Sequence, residues 1–351
     1  MSSSYSPLTV ALVADRLKAA AEKKLKLLIV CHQNPDGDTV CSSFALKLIY
    51  NTLSGNDLAH CVCASDGAPY LHPFYRGQDS IAYVPGEEKD YGIVAAVDVA
   101  TPKQLGKLQF LMPKIEFMLD HHSTGEAFAD YLTVPTAAAA AELIWDLYEH
   151  LKSEGFKNDP QIARLIYAAI SADTGSFRYS NTTKKTMNIA ACLLEEINSA
   201  TDGGADTAEI ARLLHENTTL GELRAQRLAI DNLKFAAGGR LAYIIFTADM
   251  LEENGISELD IGGIVDLPRS IEGVEIGITV KQNRADRESF RISSRSNGEA
   301  DVSRVCATFG GGGHIKAAGA TLTAPSVEKA EEIIVSEFSK ELNNIGERSK
   351  S

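Results

Sequence analysis

Seven side chains able to hold a metal fall into short clusters: His32, Asp36 and Asp38 in His-Gln-Asn-Pro-Asp-Gly-Asp, then Asp98, then His121 and His122 in Asp-His-His, then Asp173. Carboxylates and imidazoles brought to one point make a hard divalent-metal centre, because like charges do not gather without a cation to offset them. Two such ions roughly 3.5–4 Å apart, sharing a carboxylate, are the usual device for driving water onto a phosphate ester. The residue types therefore point to a two-metal phosphoesterase. Each cluster alone has a plainer reading. Asp36-Gly-Asp38 could be a helix N-cap with a dipole-matched neighbour, Asp98 a loop cap, the histidine pair a surface loop, and Asp173 a turn residue. Those readings do not explain why His32 stands just past an apolar run, four residues before Asp36. Nor do they explain why Asp120 adjoins two imidazoles, where a carboxylate can orient one ring while the other takes a metal.

The elements that must position these residues are legible as short apolar runs. Leu25 to Cys31, Ala59 to Ala64, Tyr91 to Val97 and Phe117 to Leu119 read as buried parallel strands. His32, Asp98 and Asp120-His-His then sit at carboxyl ends of strands, the edge at which open α/β sheets bind ligands. Helices are expected at Leu8 to Lys23, Thr39 to Tyr50, Ala137 to Leu151 and Asp159 to Ser171, with Asp173 just beyond the last. A Ser, Thr, Asp and Gly-rich stretch at Asn198 to Asp206 marks a linker. We expect a metal-binding catalytic domain at 1–197, a linker at 198–217 and a smaller α+β substrate-binding domain at 218–345. In the second domain, Thr218 to Leu233 reads as a helix, and Leu241 to Phe246, Val274 to Val280 and Phe290 to Ser294 as strands. Helices follow at Val302 to Phe309 and Ser326 to Leu342.

The bulk numbers exclude several classes. At 351 residues the chain can bury two cores. Its net charge of −13 argues against gripping long duplex nucleic acid by phosphate neutralisation. A small anionic substrate is still compatible, because bound metals and a few arginines can invert the field of one cleft. The six cysteines show no disulfide framework or zinc spacing and read as buried reduced thiols. No signal peptide and no run of ~20 apolar residues is present, so a cytoplasmic protein with no membrane partner is expected.

The second chemical signal is Gly310-Gly311-Gly312-Gly313-His314, followed by Ala317-Ala-Gly-Ala320. It could be a flexible turn, but tiny residues also permit close approach, and consecutive amides make an anion-binding nest. Arg291 and Arg295 lie upstream among Lys281, Arg284, Arg287 and Arg304. In so acidic a chain such a stretch reads as phosphate-binding, with Arg295 the direct contact.

Taken together and in this order, His32-x3-Asp36-x-Asp38, Asp98, Asp120-His-His122 and Asp173 resemble the DHH phosphoesterases. Arg291-Ile-Ser-Ser-Arg295 with the glycines, His314 and Ala317-Ala-Gly319 resembles the associated DHHA1 domain. The length and compact layout are similar to the NrnA type, a group of bifunctional oligoribonucleases and adenosine 3′,5′-bisphosphate phosphatases. The resemblance implies a parallel-sheet α/β domain joined to a smaller α+β domain, with the active site in the cleft between them and closure of the two during turnover. It implies that His32, Asp36 and Asp98 hold one ion and that Asp38, Asp98, His121 and Asp173 hold the other. Asp98 would bridge two Mn2+, with Mg2+ or Co2+ also suited to the ligands. His122 would face the substrate phosphate. Arg295, with Arg291, Gly311, Gly312, Gly313 and His314, would clamp a nucleotide. Asp98, His122 and Arg295 are thus the catalytic candidates. Short RNA, dinucleotides or a nucleoside bisphosphate would be the substrate, and the pattern leaves room for a homodimer. Two positions depart from the family: Ile315 replaces a proline, loosening the turn after His314, and Ala137 to Ala141 replace small hydroxyl residues that would meet phosphate.

Other functions share parts of this pattern. An inorganic pyrophosphatase or polyphosphatase would need a lysine-rich C-terminal cleft, and a processive exonuclease would need a further nucleic-acid-binding domain. A cyclic-dinucleotide phosphodiesterase would use the same ligands. A non-catalytic dinucleotide-binding protein would not need all seven ligands, and all seven are present.

Overall fold

The computed structural model describes residues 5–200, 206–257 and 260–348. The chain divides into two compact units, Met1–Asn217 and Thr218–Ser351. In the first, α1 (Val10–Glu22) is capped by Thr9 and leads to β1 (Leu27–Val30), α2 (Gly37–Ser54), β2 (Ala59–Val62), β3 (Ile93–Val97), β4 (Phe117–Asp120) and β5 (Asp130–Thr133). Helices α3 (Ala141–Ser153), α4 (Pro160–Asp173), α5 (Lys184–Ala200) and α6 (Asp206–Ala211) follow.

The five strands form one parallel sheet in the order β2-β1-β3-β4-β5. Leu27 and Ile29 of β1 enter the core shared with α1 to α5, while Leu28 and Val30 enter a second core. That second core is closed by Leu105, Leu108 and Leu111 of the 3-10 segment Pro102–Lys114. Burial on both faces is why β1 reads as an unbroken apolar run rather than an alternating one. Order reverses between β1 and β3, so the loops after these two strands part there and leave a crevice at their carboxyl ends.

The expected strands and helices of this unit form, with five differences, the first being β5, which was not among the expected elements. Asp173 is the last residue of α4 rather than lying beyond it. Ala137 to Ala140 precede α3 instead of opening it. Helix α5 was not among the expected elements, although its buried Ile189, Leu193 and Ile197 recur at helical spacing. Residues 206–216, expected within the linker, are helical, and Ile210 is fully buried in the first unit's core. The rest of that stretch, 201–205, lies outside the described residues. Among the cysteines, five are buried thiols, whereas Cys192 is exposed.

The second unit opens on α7 (Leu220–Asp231), fixed by a capping box between Thr219 and Glu222. There follow β6 (Lys234–Ala236), β7 (Leu241–Phe246), α8 (Ala248–Glu253), α9 (Asp266–Arg269), β8 (Ile276–Gln282), β9 (Ser289–Ser296), α10 (Val302–Thr308), β10 (Gly312–His314), β11 (Ala317–Thr323) and α11 (Val327–Arg348). They build a mixed sheet in the order β10-β11-β9-β8-β7-β6, in which only β7 and β8 run parallel. Phe290, Ile292, Ile278 and Val280 pack from one face onto Val305 of α10 and Ile334 and Phe338 of α11. On the other face, Ile244 and Phe246 of β7 pack under Ala225 and Ala229 of α7 and Leu251 of α8.

Candidate metal centre

The three adjacent strands β1, β3 and β4 deliver His32, Asp98 and Asp120-His121-His122 to one edge of the first sheet. Helix α2 brings Asp36 and Asp38 on its first turn, and α4, packed beside it, brings Asp173 from its last residue. The helices can approach because residue 37 is glycine: a Cβ there would overlap the Cβ of Ala172. All seven expected metal-competent side chains are thus brought together. Three overlapping donor groups result: His32, Asp36 and Asp98; Asp98, His121 and His122; and Asp38, His121 and Asp173. Gln33, Asn34 and Gln104 line the same cavity, of about 250 Å³.

Asp36, Asp38, Asp98, His121 and His122 are each aimed by a further contact. Asp36 is both cap and donor: Oδ1 accepts from the Thr39 amide at 3.0 Å, and Oδ2 lies 3.7 Å from His32 Nε2. Asp38, almost fully buried, accepts from Ser42 Oγ at 2.7 Å and from the Ala140 and Ala141 amides at 2.7 and 3.2 Å. The alanine run therefore serves the site through its backbone, holding Asp38. His121 donates Nδ1–H to the Ala137 carbonyl at 3.2 Å, which turns Nε2 toward Asp98 at 3.6 Å and Asp173 at 3.5 Å. His122 Nδ1 lies 2.7 Å from Asp120 Oδ1. Sequence reasoning had no means of finding the contact between Thr39 Oγ1 and Asp98 Oδ2, nor the walls Gln33, Asn34 and Gln104. Asp98 itself has a left-handed φ of 58°, a conformation non-glycine residues hold only where the surrounding structure compels it.

The charges of the cluster are unbalanced. Burial, with the Asp36 and Asp98 carboxylates adding repulsion, pushes Asp173 up to about 8. Burial and the Asp98 and Asp173 charges likewise raise Asp38. Burial would lower His32, but Asp36 and Asp98 outweigh it and lift the imidazole to about 10. His122 is similarly carried to about 9, against burial, by Asp120 and Asp98. Asp98 moves the other way: burial opposes ionisation, yet His32 and the neighbouring imidazoles hold it well below the usual carboxylate range. Asp98 Oδ1 is buried with no hydrogen-bond donor. An orphaned buried carboxylate oxygen, beside carboxylates whose ionisation is opposed by burial and mutual repulsion, is the signature of a site made for cations. Oxygen and imidazole donors suit hard or borderline divalent ions.

The candidates of the second unit lie on and beside its sheet. Arg291 and Arg295 project from β9 on the same face, with Arg295 opposite Ala317 of β11 and Gly277 of β8. Gly312, Gly313 and His314 form β10, paired with β11, so this part of the run is a strand rather than a loop of consecutive unpaired amides. A pairing partner two residues beyond a tight turn captures a glycine run that sequence alone leaves flexible. Gly311 is demanded by packing, since a Cβ there would overlap the Gly319 carbonyl, whereas a Cβ at Gly312 would meet nothing. The turn after His314 is not loosened by Ile315, whose carbonyl accepts from the Val302 amide at 3.0 Å and Ser296 Oγ at 3.3 Å.

Residues 26–170 match the DHH family, N-terminal domain, and residues 239–343 match the DHHA1 domain. The chain belongs to the DHH family and is a divalent-metal-dependent phosphoesterase. It is 29% identical over 338 residues, 95% of either chain, to a bifunctional oligoribonuclease and PAP phosphatase NrnA of Thermus thermophilus. It is 27% identical to the protein of the same name from Bacillus subtilis, over 69% of this chain and 74% of that one. Among solved structures, an exopolyphosphatase-related protein from Bacteroides fragilis shares the fold at a TM-score of 0.81 and 23% identity, covering 94% of this chain and 96% of that one. Among the described residues, no helix is long and apolar enough to cross a membrane.

Proposed function

We propose that this protein is a cytoplasmic enzyme that hydrolyses short oligoribonucleotides, linear dinucleotides included, to mononucleotides, and adenosine 3′,5′-bisphosphate to AMP, with two Mn2+ ions. The observation that carries this reading is the set of three overlapping donor groups that share Asp98 and His121. Its substrate class is supported by the named activities of relatives that align along 95% and 69% of the chain. On this reading residues 1–197 supply the reacting centre and 218–345 the nucleotide grip.

His32, Asp36 and Asp98 would hold one ion, and Asp38, Asp98, His121 and Asp173 the other. When bound, the ions supply Lewis-acid activation of water and neutralise the charge that develops on phosphate. Water adds to phosphorus, the ester P–O bond breaks, and the leaving oxygen takes a proton. His122, its Nδ1 held 2.7 Å from Asp120 Oδ1, would donate to a non-bridging phosphate oxygen. Asp120 keeps that ring in one orientation, and Thr39 does the same for Asp98. Arg295 offers its guanidinium fork to a phosphate further along the substrate.

The test incubates protein and Mn2+ with a dinucleotide, a five-nucleotide RNA, a long RNA, adenosine 3′,5′-bisphosphate and pyrophosphate, beside an Asp98→Asn control. Consumption of the dinucleotide, the short RNA and the bisphosphate, lost in the variant, is expected. Turnover of pyrophosphate alone, or dinucleotide binding without turnover, would overturn the proposal.

A further inference from the structure

The last turn of α4 leaves backbone carbonyls that no further turn of helix can meet. Thr174 Oγ1 donates back to the Ile170 carbonyl at 2.6 Å, and the Ser176 amide to that of Ser171 at 2.7 Å. Gly175, Ser176 and Phe177 then take left-handed φ values of 56°, 59° and 63° in succession. Two non-glycine residues hold that conformation side by side only where the surroundings compel it. The turn reverses the chain, and Asn181 comes back beside the residue on which the helix ended. Its Nδ2 donates to the Asp173 carbonyl at 3.1 Å and to the Ala138 carbonyl at 3.0 Å.

Both N–H bonds of one amide are thereby spent on two segments far apart in the chain. The two acceptors fix the amide's orientation, because the reverse one would set oxygen against oxygen. Among the described residues Asn181 Oδ1 is buried with no donor. An unmet buried acceptor is a cost, so the side chain is kept for its two donors. What it joins is specific. On one side lies the backbone of Asp173, which with Asp38 and His121 makes up one donor group. On the other lies the alanine run that holds the remaining two members. The Ala137 carbonyl accepts from His121, and the Ala140 and Ala141 amides donate to Asp38. In the group with His32, Asp36 and Asp98 are held by Thr39 instead.

We propose that Asn181 is a positioning residue for one ion of the pair. By tying the end of α4 to the alanine run, it holds Asp38, His121 and Asp173 at their mutual spacing. The group of His32, Asp36 and Asp98 forms without it. The inference rests on the two-ion reading given above.

The experiment titrates the full-length, chelator-stripped protein with Mn2+, by calorimetry and electron paramagnetic resonance, beside Asn181→Asp, Asn181→Ala and Asn297→Asp. Asn181→Asp keeps the shape but replaces the donating nitrogen by an oxygen that repels both carbonyls. Asn181→Ala removes the clamp without adding repulsion, and decides the matter if the first variant does not fold. Asn297 is the control: it likewise donates to two carbonyls, of Arg269 and Val274, but ties no metal donor. The unmodified protein and Asn297→Asp are expected to take two Mn2+ per chain and to show the spectrum of a magnetically coupled pair. Both Asn181 variants should bind one ion as before and the other about 10–100-fold more weakly, giving the spectrum of an isolated ion at low Mn2+. Equal weakening of both ions, or two ions bound as tightly as before, overturns the clamp and leaves the two-ion reading intact. Loss of folding in Asn181→Ala also overturns it, since a need of the whole fold is not a positioning role. A single ion in the unmodified protein overturns both.

Discussion

Asp98 ends β3 in a left-handed conformation, has one carboxylate oxygen engaged by Thr39, and keeps the other buried without a donor. Replacing it by asparagine retains the shape and removes the charge. Asp98→Asn should abolish phosphoesterase activity and the rise in melting temperature on adding Mn2+, read by calorimetry with and without the ion. Asp120 acts one shell further out, through His122, and Asp120→Asn should cost ~10–100-fold in activity. The pH dependence of the metal-stripped protein follows from Asp173. The folded chain retains its proton up to about pH 8, while the unfolded chain releases it near 4. Between those values the unfolded state binds fewer protons, so stability falls as pH rises. His32, lifted to about 10, and His122, lifted to about 9, contribute stability below their unfolded value near 6.5 that fades toward those limits, in the same direction. The melting temperature in chelator should therefore decline from pH 5 to pH 8, less steeply in Asp173→Asn. Added Mn2+ should recover more at pH 8 than at pH 6, because binding displaces the retained protons.

At the scale of elements, the centre depends on how closely α2 and α4 approach. Gly37→Ala places a methyl group against the Ala172 side chain and should cost about 1–3 kcal/mol by chemical denaturation. It should also weaken metal affinity, since Asp36 and Asp38 would move away from Asp173. Gly55→Ala provides the contrast. Gly55 closes the other end of α2 with a φ of 66° and open space around it, so its cost of about 1–2 kcal/mol should leave metal affinity unchanged. The strands behind the centre were legible because burial on both faces makes each an unbroken apolar run. Strand β5 was not, since its four residues are only half-buried and carry no such run.

The whole molecule contains separate cores for its two units. Residues 1–217 expressed alone should therefore fold and still respond to Mn2+ by a raised melting temperature. They should lose most of their efficiency on short RNA, because Arg291, Arg295 and the β10–β11 hairpin are left behind. Failure of the fragment to fold would show that the first core needs the second.

Residue chemistry alone determined that carboxylates and imidazoles at strand ends make a divalent-metal centre, since no other arrangement makes such charges tolerable together. It also placed the strands that deliver them, because apolar periodicity is a local property. Tertiary structure decided what depends on residues far apart in the chain. Asp38 is held by amides about a hundred residues away, so the alanine run that seemed a lost phosphate contact became its support. Asp173 joins the donor cluster only because a glycine lets α4 reach α2. The glycine run became a strand once β11 supplied its hydrogen bonds. Local sequence reports what a segment can do, and long-range packing selects which of those options is used.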